Sequence, residues 1–344
     1  MQQTSEASAG AAFASGTTYG DVWVVLPTYN EAENLPAIAA AILAALPGAT
    51  LLVVDDNSPD GTGRLADEMA ERDPHVRVLH RARKQGLGRA YIAGFQAALA
   101  GGAGRIVQMD ADGSHDPAHL PALLAPLGGG LPSGEGVASP GAAAPPVARQ
   151  DARAGQDGPR GTADLVIGSR YVRGGGVRDW GMGRRVVSRG GSTFARVVLG
   201  LPAHDLTGGF KAWRRATLQS LPWAAVHSGG YVFQIETTYL AHRGGARIGE
   251  VPIVFADRRV GVSKMSRRII AEALLVVLRL RWEELLGRGP AGGRGAAGGA
   301  GIDAVPPAIA DEAALTTPDA PPPAIADEPA PTGPDGAAPP DPPR

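Results

Sequence analysis

The chain has 344 residues, a formal net charge of −1 and no cysteine. This length suits one sizeable α/β domain or two small ones, and a chain without cysteine excludes disulfides and thiolate metal sites. A net charge near zero predicts no nucleic-acid partner and leaves anion binding to local clusters. No stretch reaches the roughly 20 apolar residues of a spanning helix, and the N-terminal segment lacks the pattern of a signal peptide. We therefore expect a cytoplasmic protein.

Short apolar runs alternate with helical patterns from residue 21 onward. Strands are predicted at 22–26, 51–54 and 76–79 and around Ile106, with helices at 35–46, after Thr62 and at 87–100. This alternation favours parallel βαβ units, and the continuously apolar strands are typical of a sheet covered on both faces. The fold class predicted is therefore α/β, with a mostly parallel sheet flanked by helices. A helix at 117–127 and a further strand at 164–168 follow.

Composition divides the rest of the chain. We predict a disordered N-terminus at 1–20, a folded domain at 21–286 with a flexible insertion at 128–163, and a disordered Pro/Ala-rich tail at 287–344. These segments hold too few large apolar residues to form a core. The tail repeats one heptapeptide, at 306–312 and 322–328, but two copies are too few for a repeat fold. An interaction site in the tail stays an alternative.

The most informative stretch is the apolar run that ends at Asp110 and Asp112. Alternate residues of an extended chain share a face, so both carboxylates could face one divalent cation. Taken alone, the pair fits a solvated loop or a helix-capping aspartate better than a cation site, because Asp is a common turn residue. Two further strand ends, at 27–31 and 55–62, carry polar residues that would lie on the same sheet edge. There Asp56 or Glu31 could bind a base or ribose and Tyr29 could stack on a base.

Several basic and glycine-rich segments follow the strand ends. The loop at 84–88 could hold a phosphate or merely cap a helix. The glycine-rich turn at 205–211 lies beside a polar cluster or is only a structural loop. Glu236 could contact a sugar or pair with an arginine. No histidine shows metal-ligand spacing. A second anion site, or a solvated surface, is predicted by the arginines that follow the strand at 164–168, namely Arg170, Arg173, Arg178, Arg184, Arg185, Arg189 and Arg196.

Two segments near the C-terminus are predicted to form a mobile loop and an amphipathic helix. The basic, glycine-interrupted loop at 257–264 suits closure over phosphates. The helix predicted at 265–286 interleaves leucines and isoleucines with arginines, which makes a spanning helix improbable. It is typical of an amphipathic helix on an anionic membrane surface or on a membrane partner, although packing on the domain's own core fits as well.

Six motifs together resemble the polyprenol-phosphate (dolichol-phosphate) mannose synthases, which are inverting glycosyltransferases of the GT-A fold. The resemblance covers residues 22–265 in the family's order, and the full set is specific although each motif occurs more widely. The motifs are VVLPTYNE (24–31), VVDDNSPDGT (53–62), MDAD (109–112), GSRY (168–171), LTGGF (206–210) and GVSKM (261–265).

The resemblance implies a role for each matching position. It places a Mg²⁺ or Mn²⁺ ion on Asp110 and Asp112, and catalysis on Asp112, Arg170 and Arg184 through positioning and charge. A one-residue shift in the alignment with the family would give the role of Arg184 to its neighbour Arg185. The substrate-binding positions that it implies are Pro27, Tyr29, Glu31, Val54, Asp56, Asp110, Ala111, Asp112, Arg170, Ser188, Arg258 and Lys264.

The implied reaction is β-D-mannosyl transfer from GDP-mannose to a polyprenyl monophosphate in the membrane, with inversion. A phosphate monoester is already anionic near neutral pH, so no catalytic base is needed. The enzyme would sit peripherally on the inner face of the membrane, with room for a membrane-anchoring protein partner. Ser114 departs from relatives that have Gln there. The rival hypotheses are a UDP-glucose-dependent glucosyltransferase and a non-catalytic sugar-nucleotide sensor or scaffold.

Overall fold

The computed structural model describes residues 18–128, 163–178, 180–226, 228, 230–256, 267–287 and 313–316. The first half alternates strands and helices as the apolar pattern predicts. Its elements are β1 (Val22–Thr28), α1 (Leu35–Ala45), β2 (Thr50–Asp55), α2 (Thr62–Arg72), β3 (Val76–Arg81), α3 (Leu87–Ala100), β4 (Arg105–Gln108) and α4 (Leu120–Leu124).

The second half adds mixed elements to the same layers. They are β5 (Leu165–Ser169), β6 (Gly176–Val177), α5 (Met182–Leu199), β7 (Lys211–Arg214), α6 (Arg215–Ser220), α7 (Gly230–Arg243), β8 (Ile248–Pro252), β9 (Val254–Phe255), α8 (Arg267–Leu285) and β10 (Ala313–Thr316).

The main sheet has the strand order β10-β3-β2-β1-β4-β7-β5-β8, and β6 pairs separately with β9. Strands β1, β2, β3 and β4 run parallel, whereas β7 is antiparallel to both β4 and β5. The predicted α/β class with a mostly parallel sheet is therefore confirmed. The chain leaves β1 toward β2 on one side and returns to β4 on the other. This reversal of strand order opens a crevice at the carboxyl ends of β1 and β4, where such sheets bind ligands.

Both faces of the sheet are buried, which explains the unbroken apolar strands. All seven residues of β1 are buried. Val24 packs into one core cluster with Leu35 and Ile42 of α1, and Val25 packs into the other with Phe95 of α3. Burial of aliphatic side chains on both faces stabilises the strands at about 25 cal/mol per Å² of apolar surface removed from water.

The structure differs in part from two predictions about local structure. The helix predicted at 117–127 is instead a short α4 between two 3₁₀ turns, Pro117–His119 and Ala125–Leu127. Prolines at positions 121 and 126 have no N–H to donate, which explains why the helix stays short. The tail predicted to be disordered contains β10, which pairs antiparallel with β3 from Ala313↔Arg81 to Thr316↔Val78. Without it β3 would be an unpaired edge, whose N–H and C=O groups accept another strand.

The remaining predictions about disorder concern residues outside the described part of the chain. These are the N-terminal residues 1–17, nearly all of the insertion at 128–163, and the tail apart from Gly287 and β10. Within the described residues, no helix combines the length and apolar character needed to cross a membrane.

Candidate active site

The ends of β1 and β2 bring together the positions expected to bind a nucleotide. Pro27 pairs in register with Val54, and the Asp56 N–H donates to the Thr28 carbonyl at 3.1 Å. The Tyr29 ring lies under the Lys84 ammonium, with Nζ 3.4 Å from the ring centroid. One edge of the sheet therefore carries a base-sized aromatic face and a buried carboxylate.

Asp56 is 4% exposed and forms an ion pair with Arg81 at the end of β3. Burial raises the pKa of Asp56, and the Arg81 charge opposes that rise. Arg81 also donates from Nη2 to Gln85 Oε1 at 2.8 Å, which ties the loop at 84–88 to the same edge. Glu31 accepts a hydrogen bond from Asn34 Nδ2 at 2.8 Å beside this group.

The acidic motif follows β4 directly and is held from two sides. The buried Tyr91 hydroxyl of α3 donates to Asp110 Oδ1 at 2.5 Å. Asp112 Oδ1 accepts from the Ser114 N–H at 3.0 Å and from its hydroxyl at 2.5 Å. Ser114, the departure from some relatives, thus orients Asp112. Ala111 between the two carboxylates is buried.

The glycine-rich turn at 205–211 packs against the acidic motif. A Cβ built on Gly209 would lie 3.1 Å from Asp110 Oδ2, closer than most real contacts allow. Only a glycine lets the backbone approach that carboxylate without displacing it. The interpretation of this turn as a purely structural loop is therefore incomplete, because the turn forms one wall of the site.

Arg170 and Asp205 form a buried ion pair. Arg170 donates from Nε to Asp205 Oδ2 and from Nη2 to Oδ1, both at 2.7 Å, and from its backbone N–H at 3.0 Å. Arg170 Nη2 also donates to Thr207 Oγ1 at 2.8 Å. Burial opposes ionisation of Asp205, but the neighbouring guanidinium prevails and lowers the pKa of Asp205.

Aromatic rings enclose the Arg170 guanidinium. Its carbon lies 5.2 Å from the ring centroid of Tyr171, 5.3 Å from that of Trp180 and 5.4 Å from that of Phe255. Rings at this distance attract a cation electrostatically and exclude water around it. The arginine is therefore held in one orientation, facing the cleft.

Helix α5 supplies the other cation of the pocket. Arg184 lies over the Trp180 ring at 4.0 Å, and Ser188 accepts a hydrogen bond from the Tyr171 hydroxyl at 2.6 Å. Both line the pocket, whereas Arg185 is exposed and is not among the lining residues. Of the two alternatives that the sequence leaves open, this geometry favours Arg184.

One pocket joins the acidic motif, the arginines and the glycine-rich turn. It brings together Asp110, Asp112, Arg170, Arg184 and Ser188 of the predicted site residues. It is lined by Asp110, Asp112, Ser114, His115, Arg170, Trp180, Arg184, Ser188, Thr207, Gly208, Gly209 and Phe255.

Several candidate positions do not line this pocket. Among the described residues these are Pro27, Tyr29, Glu31, Val54, Asp56, Ala111 and Glu236. Arg258 and Lys264 fall in residues 257–266, outside the described part of the chain. Glu236, a candidate sugar contact, is 4% exposed and accepts from the Ser228 N–H at 3.1 Å, so it supports the loop before α7.

Sequence reasoning missed His115, Trp180 and Phe255 as lining residues. His115 is 2% exposed, stacks on Phe210 with ring centroids 5.0 Å apart and accepts from the Asp110 N–H at 3.3 Å. Burial lowers the pKa of His115, which favours the neutral ring that this hydrogen bond requires. The one sequence signal for His115 as a lining residue was its position in a turn, three residues after Asp112.

The carboxylate oxygens of the acidic motif suit a cation whose remaining ligands come from a bound substrate. No group of three or more His, Asp or Glu side chains that could hold a metal occurs in the described residues. Mg²⁺ is commonly bound by one or two carboxylates together with substrate phosphates, and Asp110 and Asp112 line the same pocket. The two carboxylates therefore fit a cation shared with a diphosphate rather than a site made of protein alone.

A buried polar layer lies behind the acidic motif. Lys211 is fully buried and donates to the Gln234 carbonyl at 2.7 Å and to Thr238 Oγ1 at 2.8 Å. Gln108, its neighbour across the β4–β7 pair, donates from Nε2 to Gln234 Oε1 at 2.7 Å. Burial lowers the pKa of Lys211 to about 7.

Comparison with known proteins agrees with this arrangement. The model of the Glycosyl transferase family 2 matches residues 23–138. A polyprenol monophosphomannose synthase of Mycolicibacterium smegmatis is 45% identical over 255 residues, which are 74% of this chain and 84% of that protein. An undecaprenyl-phosphate mannosyltransferase of Micrococcus luteus is 44% identical over 271 residues, covering 78% and 98%. The chain belongs to the polyprenol-phosphate mannose synthase family.

The family assignment makes the chain a glycosyltransferase and confirms the resemblance that its motifs predicted. Among solved structures, a glucosyl-3-phosphoglycerate synthase from Mycobacterium tuberculosis, in complex with Mn²⁺, UDP-glucose and phosphoglyceric acid, is similar with a TM-score of 0.48. It is 21% identical, and the match covers 76% of this chain and 79% of that one.

Proposed function

We propose that the chain transfers mannose from GDP-mannose to the phosphate of a polyprenyl monophosphate, with inversion, and releases GDP. The observation that carries this proposal is one pocket whose lining includes both the carboxylates Asp110 and Asp112 and the cations Arg170 and Arg184. A nucleotide-sugar diphosphate with its cation suits the carboxylates, and an anionic acceptor suits the arginines. The names of two relatives that are 44–45% identical support mannose and a polyprenyl phosphate.

On the donor side, the strand ends would hold the nucleotide. Tyr29 offers a ring face for the base, and the buried Asp56 offers a carboxylate for N–H groups on its edge. Pro27, Glu31 and Val54 complete this strand-end group. Asp110 and Asp112, with Ala111 between them, would hold Mg²⁺ or Mn²⁺ together with the diphosphate, and the ion would offset charge that builds on the leaving GDP.

On the acceptor side, Arg170, Arg184 and Ser188 would hold the lipid phosphate. A phosphate monoester has a second pKa of about 6, so its oxygen attacks the anomeric carbon without a general base. The obstacle is the repulsion between two phosphate groups, and fixed cations that face the attacking oxygen reduce it. Arg258 and Lys264 are proposed to close over the donor diphosphate from the loop at 257–264.

The cellular setting follows from the acceptor. We place the enzyme in the cytoplasm, peripherally on the inner face of the membrane, where a polyprenyl phosphate can present its headgroup. A membrane-anchoring protein partner is compatible with this arrangement, and nucleic acid has no part in it.

A donor and acceptor panel tests the proposal. Purified full-length chain is incubated with GDP-mannose or UDP-glucose and a short prenyl phosphate, with Mg²⁺ or Mn²⁺, and the product is identified by mass spectrometry. We expect prenyl phosphate mannose from GDP-mannose only, and EDTA should stop its formation. Glucosyl product from UDP-glucose would instead support the rival glucosyltransferase, and turnover that persists in EDTA would exclude the metal.

A further inference from the structure

The β1–α1 loop and the β2–α2 loop each turn on an asparagine in the left-handed backbone region. Asn30 has a φ of 60° and Asn57 a φ of 56°, and within the described residues only glycines share a positive φ with them. A residue with a side chain adopts this conformation at a cost that surrounding contacts must offset. Each asparagine directly follows a candidate nucleotide contact, Tyr29 in one loop and Asp56 in the other. The path of the chain at these two positions therefore depends on contacts around the loops.

Those contacts join the two loops to each other. Three consecutive backbone N–H groups of the β1–α1 loop each donate to a side-chain oxygen of the segment that follows β2. The pairs are Asn30 with Ser58 Oγ at 3.1 Å, Glu31 with Thr62 Oγ1 at 3.0 Å, and Ala32 with Asp60 Oδ2 at 3.1 Å. Because a peptide group is planar, each bond fixes the orientation of one whole unit of the backbone. Three bonds in succession fix the chain on both sides of Glu31.

The accepting side chains are themselves held in place. Asp55, buried at the end of β2, accepts from the Ser58 N–H at 3.0 Å, from its hydroxyl at 2.6 Å and from the Thr28 hydroxyl at 3.0 Å. Asp60 accepts from the Thr62 N–H at 3.0 Å and from its hydroxyl at 2.5 Å. Burial opposes ionisation of Asp60, but hydrogen bonds from Thr62 and from a backbone N–H prevail and lower the pKa of Asp60. The network is therefore complete without a ligand.

The contacts to the β1–α1 loop exceed what the start of α2 requires. The bonds between Asp60 and Thr62 would close that helix start without help from the neighbouring loop. The further bonds to Glu31 and Ala32 serve only the β1–α1 loop. That loop also carries Tyr29, whose ring lies under the Lys84 ammonium. The network thus controls the part of the chain that presents an aromatic face and a carboxylate at the sheet edge.

We propose that Ser58, Asp60 and Thr62 are positioning residues for the donor nucleotide. In a step that rests on the proposed function, they hold the β1–α1 loop so that Tyr29 and Glu31 are oriented for the base and ribose of a nucleoside diphosphate before it binds. A loop that is already ordered loses less conformational entropy on binding, which raises the affinity. The three side chains act through the backbone of the loop and need not touch the nucleotide.

Calorimetric titration of the full-length chain with GDP and with UDP, in the presence of Mn²⁺, tests the positioning. Thr62→Val keeps the shape of the buried side chain and removes the hydroxyl that joins Glu31 to Asp60. We expect the affinity for the nucleotide that the wild type binds to fall about tenfold, because one hydrogen bond is lost and its N–H is left unpaired. Thr62→Ser restores the hydroxyl and should recover most of the affinity. Ser58→Ala removes a more exposed contact and should weaken binding about threefold.

Thr217→Val is a matched control. Thr217 of α6 is 7% exposed, and its hydroxyl donates to the Asp164 carbonyl at 3.2 Å. Asp164 precedes β5, which runs parallel to β4, so this bond lies at the sheet edge opposite the two loops. The control variant should bind the nucleotide as the wild type does. Unchanged nucleotide affinity in Thr62→Val, or equal losses in Thr62→Val and Thr217→Val, would overturn the proposal.

Steady-state kinetics separate positioning of the donor from a general structural role. Thr62→Val should raise the KM for the nucleotide sugar about tenfold and leave the KM for a soluble prenyl phosphate unchanged. Equal increases in both KM values would contradict the proposal, since a distorted fold affects both substrates.

The outcome for the positioning residues can be told apart from the outcome for the proposed reaction. If the wild type binds a nucleotide but transfers no mannose, the proposed reaction is wrong, whereas the calorimetric comparison of Thr62→Val with Thr217→Val still decides the positioning. A wild type that binds neither GDP nor UDP would overturn both.

Discussion

Asp205 holds Arg170 with three hydrogen bonds, two from the guanidinium at 2.7 Å and one from the backbone N–H at 3.0 Å. Asp205 is completely buried, and its own N–H donates to Glu250 Oε1 at 3.0 Å. Arg170 is therefore fixed from behind before any ligand arrives. Rigid cations stabilise charge at low cost, since no reorganisation accompanies the reaction. Asp205 acts through Arg170 as a positioning residue.

The Asp205→Asn variant should lose both stability and acceptor use. A buried arginine without its counter-charge costs about 3–5 kcal/mol, which urea unfolding would measure. Kinetics should show a higher KM for the prenyl phosphate with little change in the KM for GDP-mannose, because Arg170 faces the acceptor in our proposal.

The exposed pair of Asp164 and Arg247 is a suitable control. It joins the two side chains at 2.9 Å, but Arg247 is half exposed, so Asp164→Asn should reduce stability far less than Asp205→Asn. It should leave both KM values unchanged. Equal effects on donor and acceptor in Asp205→Asn would place Arg170 outside the acceptor site.

Arg184 and Arg185 form a matched pair of variants one residue apart. Arg184 lines the pocket over Trp180, whereas Arg185 is exposed. We expect Arg184→Ala to reduce kcat/KM for a soluble prenyl phosphate about 100-fold, a loss typical of one electrostatic contact in a transition state. Arg185→Ala should stay near wild type in the same assay. The reverse order would assign the acceptor contact to Arg185 and exclude Arg184.

The sequence allowed much of the fold to be predicted because parallel strands buried on both faces appear as unbroken apolar runs. α3 was placed at its observed bounds, Leu87–Ala100, and the strand ends met at one edge as expected. The chain reversal between β1 and β4 then placed the acidic motif in the crevice.

The parts that were missed depend on contacts between distant residues. Nothing local to Asp205 reveals its pairing with Arg170, 35 positions away. Trp180 and Phe255 enter the pocket because β6 pairs with β9, which no short pattern indicates. Arg184 and Arg185 are adjacent on a helix, so their side chains point about 100° apart. Which of the two faces the pocket depends on how the helix packs, and the sequence alone does not show this.

The Asp112→Asn variant tests the cation site. Ser114 holds the carboxylate of Asp112, so an amide in its place keeps the shape and removes the negative charge. We expect turnover to fall by at least about 100-fold. The affinity for GDP measured by calorimetry should lose its dependence on Mn²⁺, and the unfolding midpoint should stay close to wild type. Near-normal turnover, or GDP binding that still responds to Mn²⁺, would remove Asp112 from the metal site.

Lys211 should make the stability of the protein depend on pH. Burial lowers the pKa of Lys211 from 10.5 to about 7 in the folded chain, whereas the unfolded chain keeps the ordinary value. Between these values the unfolded state binds a proton that the folded state lacks, so the free energy of unfolding rises with pH. The rise is at most about 1.4 kcal/mol per pH unit.

This dependence can be isolated by replacing the titrating amine. Lys211→Met keeps a long apolar stem and removes the amine, at the loss of its bonds to Gln234 and Thr238. Urea unfolding at several pH values from about 7 to about 9 should give a rising free energy in wild type and a flatter line in the variant. This range lies below the pKa of Tyr239, which burial raises to about 12, so ionisation of Tyr239 does not contribute. Parallel lines for the two proteins would mean that Lys211 stays charged in the folded state, with the Asp205 carboxylate supplying enough attraction to offset its burial.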